Sequence, residues 1–150
     1  MNMSLFIDIH SPPATVFDWV EKNEKAMKWM TSVAGSEILH ETPDRIGTKF
    51  REVVKEDGKG VEIQGEITGY EQGRSISFHL ISSVNVVDVE FRVEAIPIGT
   101  RLTQKASIRW RFPINVISIF MGAKMKRTIS AQSQKEFEKL KELCENSADQ

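Results

Sequence analysis

The sequence predicts an α+β domain in which a curved, seven-stranded antiparallel sheet wraps around a long C-terminal helix, with two short helices between strands 1 and 2. Three observations lead there. Between Ser36 and Phe112 apolar residues alternate, and turn clusters recur at short, regular intervals, the pattern of an antiparallel meander. After Pro113 the apolar spacing lengthens to that of one long helix. Before Ser36 a single strand precedes two brief helical stretches. A sheet with one apolar face needs a cover, and the long helix supplies it.

The elements follow in order. Leu5-Phe6-Ile7-Asp8-Ile9-His10 reads as a strand with Leu5, Ile7 and Ile9 on one face. Ser11 is placed to cap a helix whose first turn tolerates Pro12 and Pro13. Val16, Phe17 and Val20 form its buried stripe, and a second helix after Asn23 carries Ala26, Met27 and Met30 on one face with Trp29 beside them. The meander turns at Pro43-Asp44, Asp57 to Gly60, Gln72-Gly73, Ser82-Ser83 and Pro97 to Gly99. Placing the turns at Gly58-Lys59, Gln72-Gly73, Ser82 to Asn85 and Ile98-Gly99 sets the register. Val54 then faces Ile63, Phe50 faces Ile67, Phe78 faces Ile67 and Val89, Leu80 faces Gly65 and Val87, and Phe91 faces Ala106. All four hairpins put apolar residues on the same face, a consistency stronger than any one strand assignment. Asp88, Glu90 and Glu94 gather on the other face near Lys105, Arg109 and Arg111, as on a solvated sheet surface. From Ile114 to about Glu145, a helix about 45 Å long is marked by Ile117, Met121, Met125, Ile129, Leu140 and Leu143.

Composition narrows the function. The chain has 150 residues, 40% of them hydrophobic, and no visible repeat or linker, so residues 1–150 are expected to form one domain. A chain this long buries roughly 68–70% of its unfolded surface and needs no disulfide or metal staple. Its 20 Lys+Arg against 21 Asp+Glu give no basic bias toward nucleic acid. Cys144 has no partner for an internal bridge, and the N-terminus lacks the basic region of a signal peptide, so a cytoplasmic location is expected. The longest apolar stretch, Ile114 to Ala123, is too short to span a bilayer, so integral membrane association is not expected.

The same residues carry a family resemblance. Ile9-His10-Ser11-Pro12-Pro13-Ala14-Thr15-Val16-Phe17 looks like the opening of the START-like, or SRPBCC, helix-grip superfamily: an apolar strand, then a small residue, Pro-Ala, and a Val with an aromatic. Trp29 with Val33 resembles its W-x-x-x-V entry to the second strand, and Ile46-Gly47-Thr48-Lys49-Phe50 its V-G-T-x-aromatic third strand. Gly99-Thr100-Arg101-Leu102-Thr103 is similar to its seventh strand. The order of elements matches over nearly the whole chain, and the polyketide cyclase/dehydrase-like branch is the nearest subgroup. The resemblance implies an apolar cavity and a small hydrophobic ligand; that branch holds both enzymes and carriers.

Candidate chemistry is sparse. His10, His40 and His79 have no metal-ligand spacing with each other or with Cys144, so no metal or cofactor is expected, and Cys144 reads as a packing residue. Glu52 stands out because the alternation that turns Phe50 and Val54 inward turns it inward too, opposite Gly65. An unpartnered carboxylate there would cost several kcal/mol, roughly, so the group is a ligand anchor or acid/base with a raised pKa, or a bulge returns it to solvent. No second inward titratable group is evident near it. Gln104 shares the inward parity, but its nearness to the Ile98-Gly99 turn points to solvent exposure.

The expected reading is a protein, not primarily an enzyme, that binds a small hydrophobic molecule such as a lipid, polyketide or aromatic compound between sheet and helix. Its walls would be Trp29, Phe50, Glu52, Phe78, Leu80, Phe91, Trp110, Phe112, Met121 and Met125. Two alternatives stay open: a cyclase or dehydratase using Glu52 as acid/base, and an interaction module using the apolar Ile114–Phe120 surface, as lid, dimer contact or membrane-touching patch. A monomer and a homodimer are equally compatible with the sequence.

Overall fold

The computed structural model describes residues 1–56 and 59–148. In chain order the elements are β1 (Asn2–Ile9), α1 (Pro13–Glu21), α2 (Asn23–Trp29), β2 (Val33–His40), β3 (Lys49–Glu56), β4 (Lys59–Glu71), β5 (Ser75–Ile81), β6 (Asn85–Ile96), β7 (Gly99–Trp110) and α3 (Ile114–Ala148). The strands make one antiparallel sheet in the order β1-β7-β6-β5-β4-β3-β2. From β2 onward each strand pairs with the next, and β1 closes against β7. The expected architecture is present.

Local chemistry explains where α1 begins. Pro13 occupies its first turn, where a missing N–H costs nothing, and Pro12, extended at φ −64° and ψ 150°, is the capping position. Ser11 is therefore not the cap expected from the sequence. It is buried one residue earlier, and its carbonyl oxygen accepts a hydrogen bond from the Thr100 hydroxyl at 2.7 Å. Gly99 sits beside this junction at φ 149°, where a Cβ would overlap the Ile9 carbonyl oxygen. Only glycine lets the β6–β7 hairpin end approach the start of α1 so closely.

Two hairpins keep the expected register and two do not. Phe78 pairs with Ile67 and Val89, and Leu80 with Gly65 and Val87, as read from the sequence. Nearer the β4–β5 turn the pairing slips between Ile67 and Gly69. In the β3–β4 hairpin, Val54 pairs with Val61 and Phe50 with Gly65, a displacement of two residues. In the β6–β7 hairpin, Phe91 pairs with Gln104 and Val89 with Ala106, again displaced by two. Side chains alternate with period two, so a two-residue displacement changes partners and leaves every residue on its expected face. The expected turn at Gly58-Lys59 falls partly outside the described residues.

The displacement matters at Phe50. Its ring lies over Gly65, where a built Cβ would overlap the ring atoms, so the missing side chain is a seat for the aromatic. Glu52 lies opposite Ile63 instead of Gly65. On the outer face, His79 Nδ1 lies 2.6 Å from Asp88 Oδ1, and Asp88 also meets Arg109 at 3.8 Å.

α3 runs for 35 residues, about 52 Å, and its two halves behave differently. Phe137, Leu140 and Cys144 are completely enclosed with Ile9, Val16, Trp29, Ile76 and Leu102 in the main core. The helix packs on β1, β7, α1 and α2. Its first half meets little protein: Val116, Ile117, Ile119, Phe120 and Met121 are all exposed.

Candidate functional site

Because α3 covers only one end of the sheet, a cavity of about 920 Å³ opens between the remaining inner face and the middle of the helix. β3 contributes Phe50, Glu52 and Val54, β5 Phe78 and Leu80, and β6 Val87, Val89 and Phe91. β7 adds Gln104, Ala106, Ile108 and Trp110. The α1–α2 junction closes one side with Val20, Ala26 and Met30. The helix presents Thr128, Ile129, Gln132, Ser133 and Glu136. A smaller hollow of about 630 Å³ draws on outer-face residues such as Ser77, Asp88 and Lys105.

The wall is tied to the core through aromatic edges. Phe50 meets Phe78 edge-on at 5.7 Å, and Phe78 meets Phe91 at 6.3 Å. Phe91 then meets Trp29 edge-on at 6.1 Å and Phe137 at 6.4 Å. Such edge-to-face pairs are each worth about 0.5–1.5 kcal/mol beyond burial and hold rings at fixed angles. Phe91 is the joint, with one side on the cavity and the other on the packed core.

Of the residues singled out from the sequence, Phe50, Glu52, Phe78, Leu80, Phe91 and Trp110 are brought together around the cavity. Trp29 lies behind the wall, not in it: it is 2% exposed, and its indole N–H donates to the Trp19 carbonyl at 2.9 Å. Phe112, Met121 and Met125 are outside the lining. Phe112 is 79% exposed because it precedes α3 on the far side of Pro113, and the first half of the helix stands away from the sheet. Gln104 lines the cavity half-buried, contrary to the expected exposure, because the displaced register sets it opposite Phe91 and Leu5.

Glu52 is half-buried in this wall with no hydrogen bond or ion pair among the described residues. Burial alone pushes its pKa up to about 7, so protonated and ionised forms are close in free energy near neutrality. A second inward carboxyl, which the sequence did not reveal, comes from the helix. Glu136 Oε2 accepts weak bonds from the Ser32 N–H and hydroxyl, both at 3.4 Å. Desolvation still outweighs those bonds and raises its pKa above the usual carboxylate value. Its signal was faint but present: after Ile129, positions 132, 133 and 136 continue the helical stripe of the apolar residues before them, but in polar types that read as solvated.

At one end of the cavity, Tyr70 donates its hydroxyl proton to Glu21 at 2.6 Å, and the Arg45 guanidinium lies over the Tyr70 ring at 5.1 Å. Burial and the Glu21 carboxylate push the tyrosine up to about 12, so it remains a donor. Burial also raises Cys144 to about 12, which leaves it an unreactive packing thiol. Among the described residues no three His, Cys, Asp or Glu side chains are grouped to hold a metal, and no helix is long and apolar enough to cross a membrane.

A curved sheet gripping a long helix is the fold that comparison with known proteins recovers. The family model described as "Polyketide cyclase / dehydrase and lipid transport" matches residues 2–145. The chain belongs to this family. It thus has a fold that binds hydrophobic ligands. No curated protein matches the sequence. Among solved structures, a START superfamily protein from Mycobacterium smegmatis superposes with a TM-score of 0.80 at 15% identity, covering 97% of both chains. The di-domain ARO/CYC StfQ of the steffimycin biosynthetic pathway gives 0.80 at 13% identity, covering 99% of this chain and 52% of its own. A Thermus thermophilus protein, TTHA0849, gives 0.77 at 16% identity over 95% of each chain. At these identities the likeness is one of fold, shared with the START-like helix-grip proteins.

Proposed function

We propose that this member of the polyketide cyclase/dehydrase and lipid transport family binds a small hydrophobic molecule, a lipid, polyketide or aromatic compound, for transport or sensing. The observation that carries the reading is the cavity of about 920 Å³, mostly apolar on its sheet side and interrupted there by Gln104 and by Glu52, a carboxyl with no partner among the described residues. Its volume is in the range of about 300–1,000 Å³ usual for small-molecule sites, and a few polar groups on an apolar wall fix orientation. Burial of apolar ligand surface, at about 25 cal/mol per Å², drives binding. Phe50, Phe78, Leu80, Phe91 and Trp110 supply that surface, and Glu52 and Gln104 face the ligand's polar end. The chain works as one domain in the cytoplasm.

Native mass spectrometry of freshly purified protein, followed by denaturing extraction, tests this. A stoichiometric hydrophobic passenger, or uptake from a ligand panel, is the expected result. A clean mass that gains nothing from the panel would refute the reading. Phe91→Trp should fill wall space and weaken whatever binds, and unchanged affinity would remove Phe91 from the contact surface.

One observation favours a second reading, an enzyme of the cyclase or dehydratase type. Glu52, with its pKa at about 7, suits general acid/base work at neutral pH, and Glu136 supplies a second carboxyl in the same cavity. In that case Glu52→Gln keeps ligand binding and abolishes turnover of a polyketide-like substrate. Turnover that survives the substitution would leave Glu52 an anchor only.

A further inference from the structure

The charges around the cavity are unequal in a way that bears on the ligand's polar end. Glu52, on β3, has no cationic partner among the described residues. Glu136, on α3, bonds among the described residues only to neutral groups of the chain between α2 and β2. Of the three cations that border the same space, two are engaged elsewhere. Lys22 pairs with Asp18 at 2.8 Å, and Arg45 pairs with Glu21 at 3.8 Å while stacking on Tyr70. Lys55, the third, has no ion pair among the described residues, but it is exposed at the border and not enclosed with the inward carboxyls. Glu24 and Glu41, also exposed at the border, add negative charge rather than balance it.

We propose that the cavity selects hydrophobic molecules carrying a positively charged amine over those carrying a carboxylate, with Glu52 and Glu136 as the counter-charges. This rests on the reading that the cavity holds a hydrophobic ligand, and names its head group. A ligand carboxylate would enter a poorly solvated wall that holds two carboxyls and, among the described residues, no cation paired to either, and desolvation would add to repulsion. An ammonium in the same place provides the missing partner and draws Glu52 into its ionised form. A neutral hydroxyl gains neither effect and falls between.

The test is isothermal titration with decylamine, decanol and decanoate, each kept monomeric, at about pH 8, where an ordinary amine and carboxylate are both charged. These ligands share one chain and differ only at the head. Decylamine is expected to bind about tenfold or more tighter than decanoate, a difference of roughly 1.4 kcal/mol, with decanol between them. Glu52→Gln and Glu136→Gln should each shrink that ratio, and the double variant should bring it near one, with circular dichroism confirming that each folds. Equal or tighter binding of decanoate to the unaltered protein overturns the inference while leaving the cavity a ligand site. So does a ratio that persists in the folded double variant. Failure of all three to bind overturns the inference and the underlying reading together.

Discussion

The two halves of α3 belong to one continuous helix yet obey different rules. Beyond the cavity-lining turns, the C-terminal half buries Phe137, Leu140 and Cys144 against β1, β7, α1 and α2. The N-terminal half carries apolar residues of matching size, Ile119 and Phe120, and leaves them 77% and 84% exposed. Hydrophobicity alone therefore does not decide burial. What decides it is whether a neighbouring element is within reach. Because the helix is anchored at one end only, the sheet keeps an uncovered inner face, and the cavity is the space between those two facts.

The anchored half should be the costly one to disturb. Phe137→Ala removes a ring that touches both Trp29 and Phe91, and should destabilise by about 3–5 kcal/mol in chemical denaturation. A loss near zero would mean that the anchor lies elsewhere. Between the halves, Glu52 tests the cavity itself. Its folded pKa of about 7 lies above the ordinary carboxylate value of 4.5, so the folded state binds the extra proton between those values. The stabilisation from that proton is complete below about pH 4.5 and is lost as pH rises through 7. Glu52→Gln should therefore be more stable than the parent at pH 8, by roughly 1–2 kcal/mol after solvent screening of a half-buried group, with the advantage fading toward pH 5. A stability difference flat with pH would show that Glu52 is solvated. The free half should respond least: Phe120→Ser is expected within about 0.5 kcal/mol of the parent. A larger loss would show that Phe120 is covered in solution, and sedimentation velocity over a range of concentrations would identify a second copy as the cover.

The contrast also explains what could be read from the chain. Period-two alternation set the faces of Phe50, Glu52, Phe78, Phe91 and Gln104 correctly, because a face depends only on parity. It could not set partners, since a hairpin displaced by two residues has the same alternation. Phe50 over Gly65 was missed for that reason. Met121 and Met125 were expected on the wall because their spacing is right for the inward stripe. Spacing says which side of a helix faces inward, but not how far along the sheet the helix stays in contact. The wall passes instead to Ile129, Gln132 and Glu136, whose polar members continue the stripe but are of types that read as solvated. Trp29 shows the opposite failure, an aromatic of the right type placed one layer too deep.

The far edge of the sheet carries a consequence of its own. β2 is an outer strand with Ile38 and Leu39 exposed, and its pairing with β3 is interrupted between Val33 and Gly35 and again between Ile38 and His40. An uninterrupted apolar edge would offer a template for strands of other molecules, the first step toward aggregation. The two irregularities break that template into short pieces. At this edge of the sheet, therefore, no long and regular template faces another molecule.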